Sequence, residues 1–263
     1  MANSEPILEA KNVTIRFGGL VAVSNLDLVI RPRELAGLIG PNGAGKTTVF
    51  NMLTGVYKPA EGEILLSGRN TRGLKPCQIT ARGVARTFQN IRLFKDLTVL
   101  ENVKIGGHTH YRYGGTAAVL HTNRFHAAEA EAEEDALRLL EIFDLRSRAQ
   151  VQARNLPYGD QRRLEIARAL AARPRLLLLD EPAAGLNTGE TMALMAKIRE
   201  IRDRFGLAIL LIEHNMELVM GICERIVVLN YGRTIAHGSP ADIQSDPVVI
   251  EAYLGEPAEA AGL

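Results

Sequence analysis

The run Gly40-Pro41-Asn42-Gly43-Ala44-Gly45-Lys46-Thr47-Thr48 contains the pattern G-x-x-x-x-G-K-[ST]. Even with 24 glycines in the chain, random placement gives on the order of 0.004 such matches. The run therefore reads as a phosphate-binding loop rather than a glycine-rich turn that binds nothing. Glycines let backbone N–H groups turn inward around phosphate oxygens, and a helix that starts there adds its positive dipole end. Lys46 supplies a point charge for the β- and γ-phosphates of a nucleotide, and Thr47 a hydroxyl for Mg²⁺. Such a loop needs a carboxylate for the metal. One stands after the four leucines of residues 176–179, in Asp180-Glu181-Pro182. An acidic pair at the end of a buried strand is costly unless a cation balances it. Asp180 is expected to hold Mg²⁺ through water, and Glu181 to polarise the attacking water as general base. The plainer reading, two solubilising acids at a strand end, fits poorly once Lys46 is accepted.

These residues need elements to hold them. Residues 7–30 alternate apolar and polar, with Val13, Ile15 and Phe17 on one face and Leu26, Leu28 and Ile30 on another. That period of two predicts half-buried strands with a turn at Gly18-Gly19. The continuous apolar run 35–39 predicts a buried strand leading into the phosphate loop, and residues 49–53 continue as a helix. A further strand is expected over 63–66, closed by Ser67-Gly68. Strand signals stop over about 92–150, where residues 127–145 have helical spacing, so a helical insertion is expected. Runs 176–179 and 207–212 read as central strands of a parallel sheet. Between them lies a helix with a capping box at Asn187-Thr188-Gly189-Glu190 and a stripe of Leu194, Met195, Ile198 and Ile201. Residues 226–236 read as a hairpin around Asn230-Tyr231-Gly232, and the last eight residues as a frayed tail.

Composition narrows the classes. Lys plus Arg is 31 and Asp plus Glu is 30, a net charge of +1. That balance argues against a general nucleic-acid coat, and no nucleic-acid partner is expected. Two cysteines, Cys77 and Cys223, cannot build a disulfide framework, so a reduced, cytosolic setting is expected. The polar start of the chain does not look like a signal peptide. The longest apolar runs fall far below the roughly 18–20 residues that a membrane span requires. His108, His110, His121 and His126 have no firm metal-site spacing, and a solvated insertion explains them better.

Beyond the phosphate loop, the chain carries an ordered series of motifs: Thr87-Phe88-Gln89; Leu156-Pro157-Tyr158-Gly159-Asp160-Gln161-Arg162-Arg163; Asp180-Glu181; Ala184-Gly185-Leu186-Asn187; and His214 just past a strand. Over nearly its full length it resembles the nucleotide-binding subunits of ABC transporters. The resemblance implies an α/β fold: a P-loop NTPase (RecA-like) parallel-sheet core, an N-terminal antiparallel β-subdomain and a helical subdomain insertion. One such domain would cover 1–255, with the helical part at about 92–170 and a tail at 256–263. It further implies that ATP and Mg²⁺ bind, that Gln89 touches the metal and the water, that His214 contacts the γ-phosphate and that Phe17 stacks on adenine. Taken alone, Gln89 could be a surface amide, His214 a core histidine and Phe17 a core aromatic. Two subunits would sandwich two ATP molecules, with residues 157–160 of one chain completing the phosphate-loop site of the other. Against the family consensus, Pro157 replaces Ser, Tyr158 replaces Gly and Asp160 replaces Gln. Asp160 is expected as a helix N-cap, and the composite site opposite this signature as the weaker of two.

Several stretches look like one subfamily, the ATPases of branched-chain amino acid importers. They are Arg16-Phe17-Gly18-Gly19-Leu20, Arg86-Thr87-Phe88-Gln89, the run from Gln161 to Arg168, Glu213-His214-Asn215-Met216 and the ending from Val249 to Gly255. The longer insertion, residues 108–125, is similar to the first of the two ATPases in such systems. This implies a second ATPase subunit (hetero- or homodimer), integral membrane permease subunits, indirectly a periplasmic or lipoprotein binding protein, and a place on the cytoplasmic face of the inner membrane. Importers of urea or amides, and exporters of lipid or lipopolysaccharide, use similar ATPases, although the exporters usually keep Ser-Gly-Gly in the signature. Soluble family members in translation or DNA repair carry two cassettes or long coiled coils, and one phosphate loop in 263 residues supports neither. A non-catalytic binding module is disfavoured by Glu181 and His214.

Overall fold

The computed structural model describes residues 5–111 and 120–254. Residues 112–119 of the insertion and the expected tail at 256–263 lie outside the described residues. The chain divides into two compact units.

The first unit comprises Met1–Val84, Arg175–Pro182 and Ile198–Leu263. Its antiparallel sheet has the order β2-β1-β4-β5, from β1 (Leu8–Phe17), β2 (Leu20–Ile30), β4 (Glu61–Leu66) and β5 (Arg69–Asn70). The second sheet has the order β10-β9-β3-β8-β7-β6. It contains β3 (Leu35–Ile39), β6 (Val84–Arg86), β7 (Leu176–Asp180), β8 (Ala208–Ile212), β9 (Arg225–Asn230) and β10 (Arg233–Gly238). β3 pairs in parallel with both β8 and β9, and β7 with β8. Every residue of β3, β7 and β8 is buried, which is why they read as unbroken apolar runs. Their C-terminal ends therefore fall on one side of the sheet. The two sheets share a core in which Leu8, Leu26 and Ile64 cluster with Phe50, Leu178 and Leu210.

Turn chemistry fixes the hairpins as expected. Tyr231 (φ 45°) and Gly232 (φ 75°) give the paired left-handed residues of a tight turn between β9 and β10. Helix α1 (Lys46–Leu53) follows β3, and the short α2 (Pro76–Ala81) precedes β6.

The second unit comprises Ala85–Pro174 and Ala183–Lys197 and is helical. α3 (Val99–Gly107) starts at a capping box formed by Thr98 and Glu101. α4 runs Asn123–Ile142, several residues earlier than the hydrophobic spacing suggests, because Thr122 caps it by accepting a hydrogen bond from the Phe125 N–H. α5 (Tyr158–Ala171) carries the signature residues on its first turn. α6 (Thr188–Phe205) runs from the second unit's residues into the first's. At its start Asn187 Oδ1 accepts from Glu190 N–H (2.9 Å) and Glu190 Oε2 accepts from Asn187 N–H (3.1 Å), the reciprocal cap that the sequence predicts. α7 (Met216–Ile222), α8 (Pro240–Gln244) and α9 (Pro247–Leu254) complete the first unit.

Candidate functional site

The phosphate loop joins β3 to α1. Gly40 has φ 151°, and a Cβ there would meet the Leu229 carbonyl oxygen at 2.0 Å. Gly45 is the α1 N-cap, left-handed at φ 103°, with no side-chain cap. Both positions demand glycine. The helix therefore begins with backbone N–H groups that no capping side chain covers, the arrangement that suits an anion. Pro41, Asn42, Gly43 and Ala44 form the turn itself, and Thr47 is exposed while Thr48 is half-buried.

Lys46 is buried, and its Nζ donates to the carbonyls of Gly40 (2.6 Å) and Pro41 (3.0 Å). Burial lowers its pKa, and the charges of Glu181 and Asp180 push it back up. The charges of Lys46, at the start of α1, and of the acidic pair at the end of β7 therefore act on one another. Asp180, the last residue of β7, is only 2% exposed. Glu181 follows it in the left-handed region at φ 47°, its N–H donating to the Ile212 carbonyl of β8 at 2.9 Å. A non-glycine residue held there marks a locally imposed backbone. His214 projects from the loop after β8, 61% exposed, with Nδ1 3.7 Å from Glu181 Oε2. Lys46, Asp180, Glu181 and His214 thus belong to one locale within the first unit.

Phe17 closes β1. It is 43% exposed and packs edge-on to Tyr57, ring centroids 5.1 Å apart. The structure leaves it at the surface rather than in the core. Among the described residues no group of three or more His, Cys, Asp or Glu is placed to hold a metal ion. His110 Nε2 instead lies 2.8 Å from the Ala172 carbonyl.

In the second unit, the α5 N-cap is Pro157, without a side-chain cap. This corrects the expectation that Asp160 caps the helix. Asp160 is already inside the first turn, where it pairs with Arg148 and, at 3.7 Å, with Arg163. The proline's fixed φ suits the position that Asp160 was expected to fill. Gln89 is exposed.

Three residues escaped the sequence reading. Arg162 and Glu165 on α5 are 0% and 1% exposed and form an ion pair at 3.1 Å. Their charged letters on an amphipathic helix look like its solvated face. Glu213 is buried after β8, its Oε2 4.0 Å from His214 Nδ1. It ends an apolar run, the same signal that Asp180 gave.

A family model described as "ABC transporter" matches residues 23–184. The chain belongs to the ABC transporter family. A second model, "Branched-chain amino acid ATP-binding cassette transporter", matches residues 233–259. The high-affinity branched-chain amino acid transport ATP-binding protein LivG of Salmonella typhimurium is 51% identical over 96% of this chain and 99% of its own length. The crystal structure of the ADP conformation of MJ1267, an ATP-binding cassette of an ABC transporter, superposes with a TM-score of 0.81 at 28% identity, over 95% of this chain and 99% of that one. The dimeric post-hydrolysis structure of the cassette MJ0796, bound to ADP and Pi, gives 0.75 at 27% identity, over 89% and 98%. As an ABC cassette, the chain binds ATP and hydrolyses it in the service of transport. No helix among the described residues is long and apolar enough to cross a membrane.

Proposed function

We propose that the chain is the ATP-hydrolysing subunit of an importer for branched-chain or related amino acids. It would work with a second ATPase subunit, two permease subunits and an external binding protein, on the cytoplasmic face of the inner membrane. The observation that carries the catalytic part is the cluster of Lys46, Asp180, Glu181 and His214 beside the phosphate loop. The α1 N-terminus and Lys46 grip the β- and γ-phosphates. Glu181 accepts the proton of the attacking water as its oxygen bonds to the γ-phosphorus and the bond to the β–γ bridging oxygen breaks. His214, beside Glu181, is placed to contact the γ-phosphoryl oxygens. Thr47 and Asp180 offer a hydroxyl and a carboxylate, hard oxygen donors of the kind Mg²⁺ takes from a protein while phosphates and water supply the rest. When bound, such an ion would neutralise charge on the phosphates. Phe17, exposed at the end of β1, is available to the adenine ring. The role of Gln89 toward metal and water, and of residues 157–160 toward a partner's nucleotide, rests on the family resemblance. Asp160 puts a carboxylate where that nucleotide's phosphate would approach, so the composite site using this signature is the weaker one.

The substrate assignment draws on the LivG relative and on the match at residues 233–259. The complex reconstituted in vesicles with its binding protein should accumulate radiolabelled leucine, isoleucine or valine only when ATP is present on the ATPase side. Uptake of urea or a short amide, with none of leucine, would reject the amino acid assignment and leave the ATPase assignment standing.

A further inference from the structure

The signature's departure from consensus at Tyr158 has a physical counterpart inside the second unit. Tyr158 Oη donates to the carbonyl of Ala184 at 3.1 Å. It also accepts from Arg162 Nη2 at 3.2 Å. The same guanidinium donates to the carbonyls of Phe88 and Gln89, each at 2.8 Å, and to Glu165 Oε2 at 3.1 Å. Glu165 Oε1 in turn accepts from the backbone N–H of Arg92 (3.2 Å) and of Phe88 (3.4 Å). One tyrosine, one arginine and one glutamate on a single helix face therefore hold the backbone of residues 88–92 on one side and residue 184 on the other.

The surroundings fit a built device. Arg162 is fully buried; both its Nη groups are used in the bonds above, while its Nε has no hydrogen-bond partner, and a buried guanidinium is costly unless its donors are used. The Phe88 ring is covered by the Arg92 guanidinium at 4.0 Å and the Arg86 guanidinium at 4.9 Å, which fixes the segment just before Gln89. Gly185 is left-handed at φ 79°, and a Cβ there would lie 3.0 Å from the Tyr158 ring, close enough that the ring would have to give way. The loop after Glu181 is thus moulded onto the tyrosine that replaces the consensus glycine.

We propose that Tyr158, Arg162 and Glu165 are positioning residues that link three motifs, residues 87–89, 157–160 and 184–187, as one hydrogen-bonded block. A partner's nucleotide pressing on the start of α5 would then set the backbone of Gln89 and of Ala184 together, with no loop moving independently. This rests on the ATPase reading above, and the test separates the two.

The experiment uses the assembled transporter and measures kcat and KM for ATP together with amide hydrogen exchange of this chain. Tyr158→Phe keeps the ring against Gly185 and deletes only the hydroxyl. It should lower kcat about fivefold, the scale of one lost hydrogen bond, with KM changed less than about twofold. Exchange should rise in both 87–92 and 183–186. Arg162→Lys keeps a cation opposite Glu165 but cannot grip two carbonyls at once, and should give the same split; if it fails to fold, Tyr158→Phe alone decides. The two substitutions should be non-additive, because they break one chain of bonds. Wild-type kcat in Tyr158→Phe, or increased exchange in only one of the two segments, would overturn the linkage. A wild-type complex without ATPase activity would sink the underlying ATPase reading instead.

Discussion

Helices α1 and α5, the two proposed to meet phosphate, start without a side-chain cap, as does the short α2 after Lys75. α1 begins after Gly45 and α5 after Pro157. α3, α4, α7 and α8 are instead closed by Thr98, Thr122, Asn215 and Ser239, each accepting from a first-turn N–H. A side-chain cap stabilises a helix by using the donors that an anion would need. The starts of α1 and α5 then differ in charge. α1 opens with Lys46 and no acid in its first turn. α5 carries Asp160, held by Arg148 and Arg163. In the proposed ATP sandwich the first would bind a phosphate by itself. The second would meet one only against its own carboxylate, partly neutralised by two arginines.

That contrast can be broken at α1 with the largest effect. Lys46→Met should abolish the rise in Tm that ATP produces in the wild type, while the ligand-free Tm stays within about 3 °C. The second half follows from the lysine's lowered pKa. Between its folded and unfolded values the unfolded chain holds more protons, so stability rises with pH there. At neutral pH the buried charge therefore costs stability, and losing it offsets the lost bonds to Gly40 and Pro41. Differential scanning fluorimetry with and without ATP reads both parts; a wild-type ATP shift in the variant would remove the lysine from the site.

A milder change at α5 should act in the opposite direction. Asp160→Asn removes the carboxylate that opposes the incoming phosphate. ATP-driven pairing of the cassettes should tighten about two- to fivefold, the range of a single charge near a helix terminus, measured by sedimentation at several ATP concentrations. Weaker pairing would mean that the Arg148–Asp160 contact matters more as a brace than the charge does as a barrier.

The smallest expected effect concerns a capped helix. Hydrogen bonds from the Thr98 backbone and side chain hold the Glu101 carboxyl below its ordinary pKa. A depressed carboxylate contributes stability that is present above its unfolded value near 4.5 and is lost as pH falls through the folded one. Thr98→Ala should cost about 1 kcal/mol at pH 7 and less below pH ~4, with ATP affinity unchanged; urea melts at the two pH values check it.

The residues that announce themselves in the sequence are those whose backbone or burial forces a pattern. Gly40, Gly45 and Lys46 sit in a spacing that only one loop needs. β3, β7 and β8 read as apolar runs because all of their residues are buried, and Asp180 is visible because it ends such a run. The second unit was less legible. α3 has too few turns to show a period, and the start of α4 depends on Thr122, one of many threonines. Arg162 and Glu165 carry letters that usually mean solvent, and only the fold turns them inward onto the backbone of residues 88–92. Tyr158 stood out as a departure from consensus, yet its bond to Ala184 joins residues 26 apart and has no local sequence mark.

Glu181 is proposed as the base beside a phosphate loop that binds ATP without it. Glu181→Gln in the assembled transporter should keep ATP binding near the wild-type level and lower single-turnover hydrolysis by about a hundredfold or more. Hydrolysis at the wild-type rate in that variant would contradict it.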